Sequence, residues 1–427
     1  MSKYDLLVKT KNIHIPISGN VSLSLMAKYF IDNKYFQRLT QLKQLGTCDM
    51  VFSGAKHSRF EHSIGTYYLT ERLCNRILTL IKEEIIKEEE IIKYLKNIPE
   101  IKDNIRWVFE LVKIGGLCHD LGHGAFSHIF DDSFISQSIY KNHELAEHEK
   151  RSCYIIELIY NNNEILKKYM TENDIKFIQT IINPDKTRTG FIYQIVSNTL
   201  NGLDVDKYDY ISRDTLHTGI KCGFDFSKLV DEILIINNNI VYPTQSIIDI
   251  YNLLITRYQL HKRLYSHKSV VSAQLIITNI MKILDKVINI SDSILDMNKF
   301  VLITDDYIIQ TMKRIIYNEE KEYLTKEEFE ELKELNYRIE NHKLYKHIDT
   351  LISNKDNINI KKYFKDEYII FKNKIGFVSG DKPNPLDNVF VYKTKDLIKT
   401  AKLLNPKEVF LPSQYQEYNI MIFSKNI

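Results

Sequence analysis

Four short segments of this 427-residue chain gather side chains able to hold a metal ion or move protons. They are RFEHS (59–63), HDLGHGAFSH (119–128), HEK (148–150) and DVDKYDYISRD (204–214). Seven of the thirteen histidines lie between His57 and His148, mostly beside acids. Neutral imidazoles and carboxylates are good ligands for Mn²⁺, Fe²⁺, Zn²⁺ or Mg²⁺-type ions. His119 and Asp120 are adjacent, and neighbours on a helix point about 100° apart. They can still converge on one ion placed between them at a helix end. Two further ligands must then come from elsewhere in the chain. His62 and Asp206 are the best candidates, because each sits in a dense polar motif within otherwise apolar surroundings. A lone His-Asp dipeptide would carry little weight, since a single histidine on an apolar face is more often a satisfied core residue. Four such motifs together are different. Burying that many polar groups costs several kcal/mol unless a metal or ligand compensates.

Long elements must position these segments. Residues 22–45 read as helix, with Leu23, Met26, Phe30, Leu39, Leu42 and Leu45 at three- to four-residue spacing. Residues 67–97 form a long helical stretch with Leu73, Ile77, Ile81 and Ile85 as its apolar stripe. Residues 105–118 predict a buried helix that runs straight into HDLGHG. Residues 144–167, 171–183 and 246–290 also read as helices, and residues 190–218 carry the last polar cluster. Residues 326–343 predict an exposed, charged helix. Residues 1–20 read as a short extended arm. After about residue 365 the chain turns to Ile, Val, Phe and Tyr with turn residues between, including GDKPNP, which reads as a small α+β lobe. The expected fold is mostly α. A helical core spans residues 1–290, with the arm at its start, and a helical and α+β lobe spans 291–427.

Composition narrows the class. Lys+Arg 58 against Asp+Glu 55 leaves a net charge of +3, which excludes a polybasic tail protein but not a local basic pocket. Only 14 glycines and 8 prolines favour long helices over many tight turns. The start of the chain has no apolar core of signal-peptide length, and no run is long enough to span a membrane. Five scattered cysteines without a CxxC pair suit a reducing compartment and argue against a thiolate zinc site. The expected location is the cytoplasm or nucleus.

The pattern His62, His119-Asp120, Asp206 resembles the signature of the HD-domain metal-dependent phosphohydrolases. The segments QRLxxLKQLG (37–46), SRFEHSIG (58–65), CHDLGHGAFSH (118–128), NGLDVDKYDYISRD (201–214) and LHKRLYSHK (260–268) are similar, in order and spacing, to the deoxynucleoside triphosphate triphosphohydrolases with SAM and HD domains. The resemblance runs from about residue 10 to the C-terminus and weakens after about 290. On it, the chain starts at the catalytic region, carries no SAM domain and stops slightly short of the family's C-terminal end. It implies hydrolysis of a dNTP to a deoxynucleoside and inorganic triphosphate. His62, His119, Asp120 and Asp206 are then metal ligands for Fe, Zn or Mn, with Mg on the nucleotide. His123, His128, Asp131, His148 and Glu149 are the catalytic histidines and their partners, with His128, supported by Asp131, as general acid. Arg59, Lys207 and Arg257 contact the triphosphate. Gln44, Leu45, Tyr210, Asp214 and Tyr265 form the sugar pocket, with Tyr265 excluding a ribose hydroxyl.

The same resemblance implies a GTP or dNTP activator site and a homo-oligomer, dimer or tetramer. Lys11, Asp32, Gln37, Lys228 and Lys268 match that site or keep its charge. Thr40, His14, Pro243 and Gln245 depart from it, and Ser266 replaces a pocket Gln. Two rival readings stay open. One is another HD phosphohydrolase, acting on dGTP alone, on monophosphates or on signalling nucleotides. The other is an HD protein that binds nucleic acid through clusters such as HKRLYSHK, as its main or a secondary property.

Overall fold

The computed structural model describes residues 2–221, 223, 225–320, 322–354, 360–377, 386–393, 402–403 and 416–425. The fold is mostly helical, with small sheets at its edges. The expected GDKPNP turn and Cys222 lie outside the described residues.

The arm is an antiparallel hairpin, Lys9–Ile15 against Gly19–Ser24, with Ile13 opposite Val21. Helix does not fill 22–45 as the spacing predicts. Ser24 ends the hairpin and caps Leu25–Ile31 by accepting from the Ala27 N–H. Asn33 accepts from the N–H groups of Tyr35 and Phe36 and starts a separate short helix, Lys34–Gln37. Short polar side chains at these points satisfy helix-end donors that a continuous helix would leave inside it.

Three helices form the frame of the site. Arg59–Lys82 begins at a capping box in which Ser58 accepts from the Glu61 N–H. It stops at Lys82, short of the expected 67–97 run, and Glu88–Lys96 follows beyond Glu84, whose φ is 57°. Ile105–Cys118 starts at Asn104 and is buried from Trp107 to Cys118. Val205–Thr218 starts at Asp204, which accepts from the Lys207 N–H, and ends at left-handed Gly219. Close approach explains one glycine: a Cβ on Gly65 would lie 1.9 Å from Asp209 Oδ1, so only glycine admits the Asp209 carboxylate against the first helix.

Around this frame pack His148–Asn161, Glu164–Tyr169 and Glu172–Ile182. The expected helices of 246–290 are Ile247–Leu260 and Lys268–Ile288, separated by a wide turn over His261–Tyr265. The charged helix is Lys326–Glu340. In the C-terminal region Gln416–Ser424 is the centre of an antiparallel sheet between Lys346–Ser353 and Tyr368–Gly376, with Ile370 opposite Ile422. Its Met421 and Phe423 join the apolar core that also holds Leu117 and Ile64, while Ile360, Tyr363, Ile420 and Ile422 form a smaller cluster. Among the described residues no helix is long and apolar enough to cross a membrane.

Candidate active site

Three helix ends meet. His62 stands in the first turn of Arg59–Lys82, and Asp206 in the first turn of Val205–Thr218. His119 is the residue after Cys118, where the middle helix stops, so His119 and Asp120 leave the helix axis and turn to the same side. His62 Nε2 lies 3.1 Å from His119 Nε2, 3.2 Å from Asp206 Oδ1 and 3.5 Å from an Asp120 oxygen. His119 Nε2 lies 3.3 Å from Asp120 and 3.5 Å from Asp206.

These spacings fit a divalent ion. Ligand atoms at about 2.0–2.2 Å from one ion, in tetrahedral or octahedral array, stand roughly 3.0–3.5 Å apart. The outer nitrogens agree. His62 Nδ1 faces Asp209 Oδ2 at 2.8 Å, and His119 Nδ1 faces the Gly116 carbonyl at 2.8 Å. With a proton on each Nδ1, both Nε2 lone pairs point into the same small space, an arrangement that a cation satisfies. Burial opposes ionisation of Asp120 and Asp206, yet both are held well below the usual carboxylate range. For Asp120 the cause is His119 and Arg59, and for Asp206 it is His119 and His62.

The remaining histidines stand beside Asp120. His123 Nε2 is 3.3 Å from Asp120 Oδ1, and its ring stacks on His148 with centroids 3.8 Å apart. His128 meets both rings edge-on, at 5.0 and 5.6 Å. The expected support of His128 by Asp131 is not a direct contact: Asp131 acts on His128 through its charge. Asp131 faces His148 Nδ1 at 2.9 Å and accepts from Arg151 as well. The carboxylate beside His128 is Asp132, at 3.9 Å. Both carboxylates lie in the π-type turn Ile129–Phe134. Desolvation in the cleft, with Arg59 and His148 acting in the same direction, holds His128 below its ordinary value. His148 is raised: burial opposes this, but Asp131 and Glu149 outweigh it. Glu149 lies 3.4 Å from His148 Nε2.

The residues expected to meet the polyphosphate are already held. Arg59 is buried, with Nη1 donating to Asp120 Oδ2 at 2.5 Å and Nε donating to Ser127 Oγ at 2.9 Å. Lys207 Nζ lies 3.1 Å from Asp204 Oδ2. Arg257 is buried and donates to the Gly376 carbonyl. On the sugar side Tyr265 donates to Asp214 Oδ2 at 2.5 Å. The other oxygen of Asp214 faces His57 Nε2 at 2.8 Å. The Gln44 N–H donates to the His57 carbonyl at 3.0 Å, and Leu45 follows it, half-buried. Tyr210 has its pKa raised by burial, against Arg257 and Lys207. Ser266 accepts from Asn373 at 2.6 Å.

The residues of the expected activator site are not joined to this cluster by any hydrogen bond or ion pair among the described residues. Lys11 pairs with Asp32 at 2.5 Å, and Gln37 donates to the Ile31 carbonyl. Thr40 donates to the Gln37 carbonyl, and His14 faces Asn20. Lys228 lies 3.7 Å from Asp249, while Lys268 is exposed at the start of its helix. Sequence reasoning passed over Asp209, His57, Ser127, Arg151 and Asp305. Only Asp209 had a legible signal: three residues after Asp206, it shares that residue's helix face.

Helix ends that converge on a His/Asp cluster define an HD-type site, and residues 59–214 match the HD domain model. An HD domain-containing protein of Acanthamoeba polyphaga mimivirus is 37% identical over 393 residues, 88% of this chain and 83% of that protein. The deoxynucleoside triphosphate triphosphohydrolase SAMHD1 homolog of Dictyostelium discoideum is 32% identical over 440 residues, 99% of this chain and 79% of that protein. Human deoxynucleoside triphosphate triphosphohydrolase SAMHD1 is 35% identical over 282 residues, 60% of this chain and 42% of its own length. The chain belongs to the family of HD-domain deoxynucleoside triphosphate triphosphohydrolases.

Proposed function

We propose that the chain hydrolyses dNTPs to a deoxynucleoside and inorganic triphosphate, by attack of water at the α-phosphorus. The observation that carries this is the sharing of Asp120. One carboxylate faces His62 and His119, accepts from Arg59 and meets His123, so the ligand cluster, a phosphate-side cation and the histidine stack form one continuous site. His62, His119, Asp120 and Asp206 would hold a divalent Fe, Zn or Mn ion, which when bound supplies a Lewis acid at the α-phosphate.

The chain's own residues do the rest. Arg59, Lys207 and Arg257 place three cations for the charge that the polyphosphate carries and concentrates during reaction. Their fixed partners pre-orient them, so little rearrangement is needed as charge develops. Expulsion of the 5′ oxygen requires a proton. His128, in the cleft beside the His123–His148 stack, would deliver it. Asp131 and Glu149 hold His148, which keeps that stack in place. Tyr265, tied to Asp214, lines the sugar side and disfavours a 2′-hydroxyl by exclusion. We take residues 1–290 as the catalytic region and 291–427 as a lobe packed on it.

The test is product analysis of each dNTP and NTP with Mn²⁺ or Mg²⁺, with and without GTP, beside Asp206→Ala. Deoxynucleoside plus triphosphate, absent in the variant, is the expected result; no turnover of any dNTP overturns it. We expect GTP to stimulate weakly, because Thr40 turns its hydroxyl back to Gln37 and offers a base no guanidinium. Strong GTP-dependent activation with assembly into dimers or tetramers would show that Lys11, Asp32, Gln37, Lys228 and Lys268 suffice for an activator site.

A further inference from the structure

We propose that His57 is a positioning residue for the sugar side of this site: it fixes the Asp214 carboxylate, and through it the place of Tyr265. The inference rests on the reading that Asp214 and Tyr265 receive the deoxyribose. It starts from how one buried residue reaches both walls of that pocket. The His57 carbonyl accepts from the Gln44 N–H at 3.0 Å, and His57 Nε2 faces Asp214 Oδ1 at 2.8 Å. The second oxygen of Asp214 accepts from the Tyr265 hydroxyl at 2.5 Å. Asp214 is therefore held from two sides, and its orientation sets where the Tyr265 ring stands.

The ring of His57 is itself fixed. It stacks on His217 with centroids 4.4 Å apart and planes 23° from parallel. The side chains of His57 and Asp214 are 0% and 1% exposed. His57 Nδ1 has no hydrogen-bond partner among the described residues. A ring present only to fill space would leave no buried nitrogen unsatisfied, and phenylalanine would serve it better. The orphaned Nδ1 is what remains when the proton sits on Nε2 and is donated to Asp214. Without that donor, Asp214 Oδ1 is buried and unpaired. The carboxylate can then turn, the Tyr265 hydroxyl follows, and space opens where a 2′-hydroxyl would lie.

The experiment compares wild type, His57→Phe and His57→Gln on dATP and ATP, with a thermal unfolding curve for each. Phe keeps the stack on His217 and removes the donor, whereas Gln returns an N–H near the position of Nε2. His57→Phe should lower the dATP-over-ATP ratio of kcat/KM about tenfold, the size expected for losing a hydrogen bond to a charged group. Most of that loss should appear in KM for dATP, and His57→Gln should restore most of the ratio. Should His57→Phe fail to fold, His57→Asn, whose amide stops short of Asp214, takes its place with the same expectation. An unchanged ratio in the folded variant overturns the inference, as does a Gln variant no better than Phe. A wild-type chain that turns over no dNTP overturns the proposed function and this inference with it, so the two failures are distinguishable.

Discussion

The Asp305 carboxylate accepts the Phe126 peptide N–H at 2.6 Å, reaching from outside the helical frame into the loop between the ligand pair and His128. Its other oxygen accepts from the Lys43 N–H at 3.0 Å. Phe126 and Ser127 both have left-handed backbones, with φ of 59° and 61°. For non-glycine residues such conformations cost about 1–3 kcal/mol each and persist only where the surroundings enforce them. Asp305 enforces this one from one side. Ser127, bonded to Arg59 and to the Lys43 carbonyl, enforces it from the other. The strained loop sets where His123 and His128 stand.

Asp305→Ala should therefore destabilise the chain by about 2–3 kcal/mol, the cost of leaving two buried N–H groups unpaired, and should lower turnover as well. Denaturant unfolding and kcat, measured together, check this. The pH dependence has a definite sign. Burial pushes the Asp305 carboxyl up to about 6, against the pull of the Phe126 and Lys43 N–H groups. The native state thus holds a proton that the unfolded chain releases near pH 4. Asp305 favours folding most at low pH, and that contribution is lost as pH rises from about 4 to about 6. Stability relative to Asp305→Asn should fall across that window and stay level above it.

How far the sequence led differs between the frame and the loops. The 105–118 helix was legible because its apolar run is unbroken and ends at His119. The convergence of His62, His119, Asp120 and Asp206 was legible because polar clusters set into apolar helices are costly to bury unless an ion or ligand compensates them. The break at Asn33 was not, since a single capping side chain outweighs several residues of favourable spacing. The exchange of partners between His128 and His148 was also out of reach. It depends on which ring each carboxylate of the Ile129–Phe134 turn meets, and the motif does not carry that. Asp305 belongs to no motif, and only packing brings it to Phe126.

Chelation should lower both activity and stability. His62 and His119 set their Nε2 atoms 3.1 Å apart beside two carboxylates, and removing an ion held there takes its binding free energy from the folded state. Unfolding temperature should fall on treatment with EDTA and recover with Mn²⁺. Asp206→Asn should show a low unfolding temperature with or without chelator and a metal content well below one per chain. A wild-type chain with equal unfolding temperatures in both conditions would contradict the ligand set.

Lys207→Met should separate catalysis from folding. The Asp204 carboxylate keeps the N–H groups of Asn198 and Lys207 at 3.0 and 3.1 Å, so the fold loses one ion pair but not the helix cap. A stability cost of about 1 kcal/mol is expected for a charged partner removed beside retained donors. Turnover of dNTPs should fall about a hundredfold, the scale of losing one preorganised charge at a reacting phosphate. Thermal unfolding and kcat/KM on the same preparation decide the matter: equal, small effects on both would remove Lys207 from the phosphate contacts.

His128 should take up its proton when substrate binds. Its imidazole is held below its ordinary value, by desolvation first and by Arg59 and His148 after it. A general acid in that state is mostly deprotonated near pH 7. A bound triphosphate reverses the local field, because several negative charges then face Arg59 and raise the pKa of His128. The alkaline limb of the kcat/KM profile, which reports the free enzyme, should therefore lie at lower pH than that of kcat, which reports the complex. Nucleotide binding near pH 7 should be accompanied by net proton uptake, read by calorimetry in buffers of different ionisation enthalpy. His128→Asn should abolish both the separation of the limbs and most of the uptake, and should lower kcat about 10²- to 10⁴-fold. Uptake that persists in His128→Asn would move the proton to the neighbouring His148.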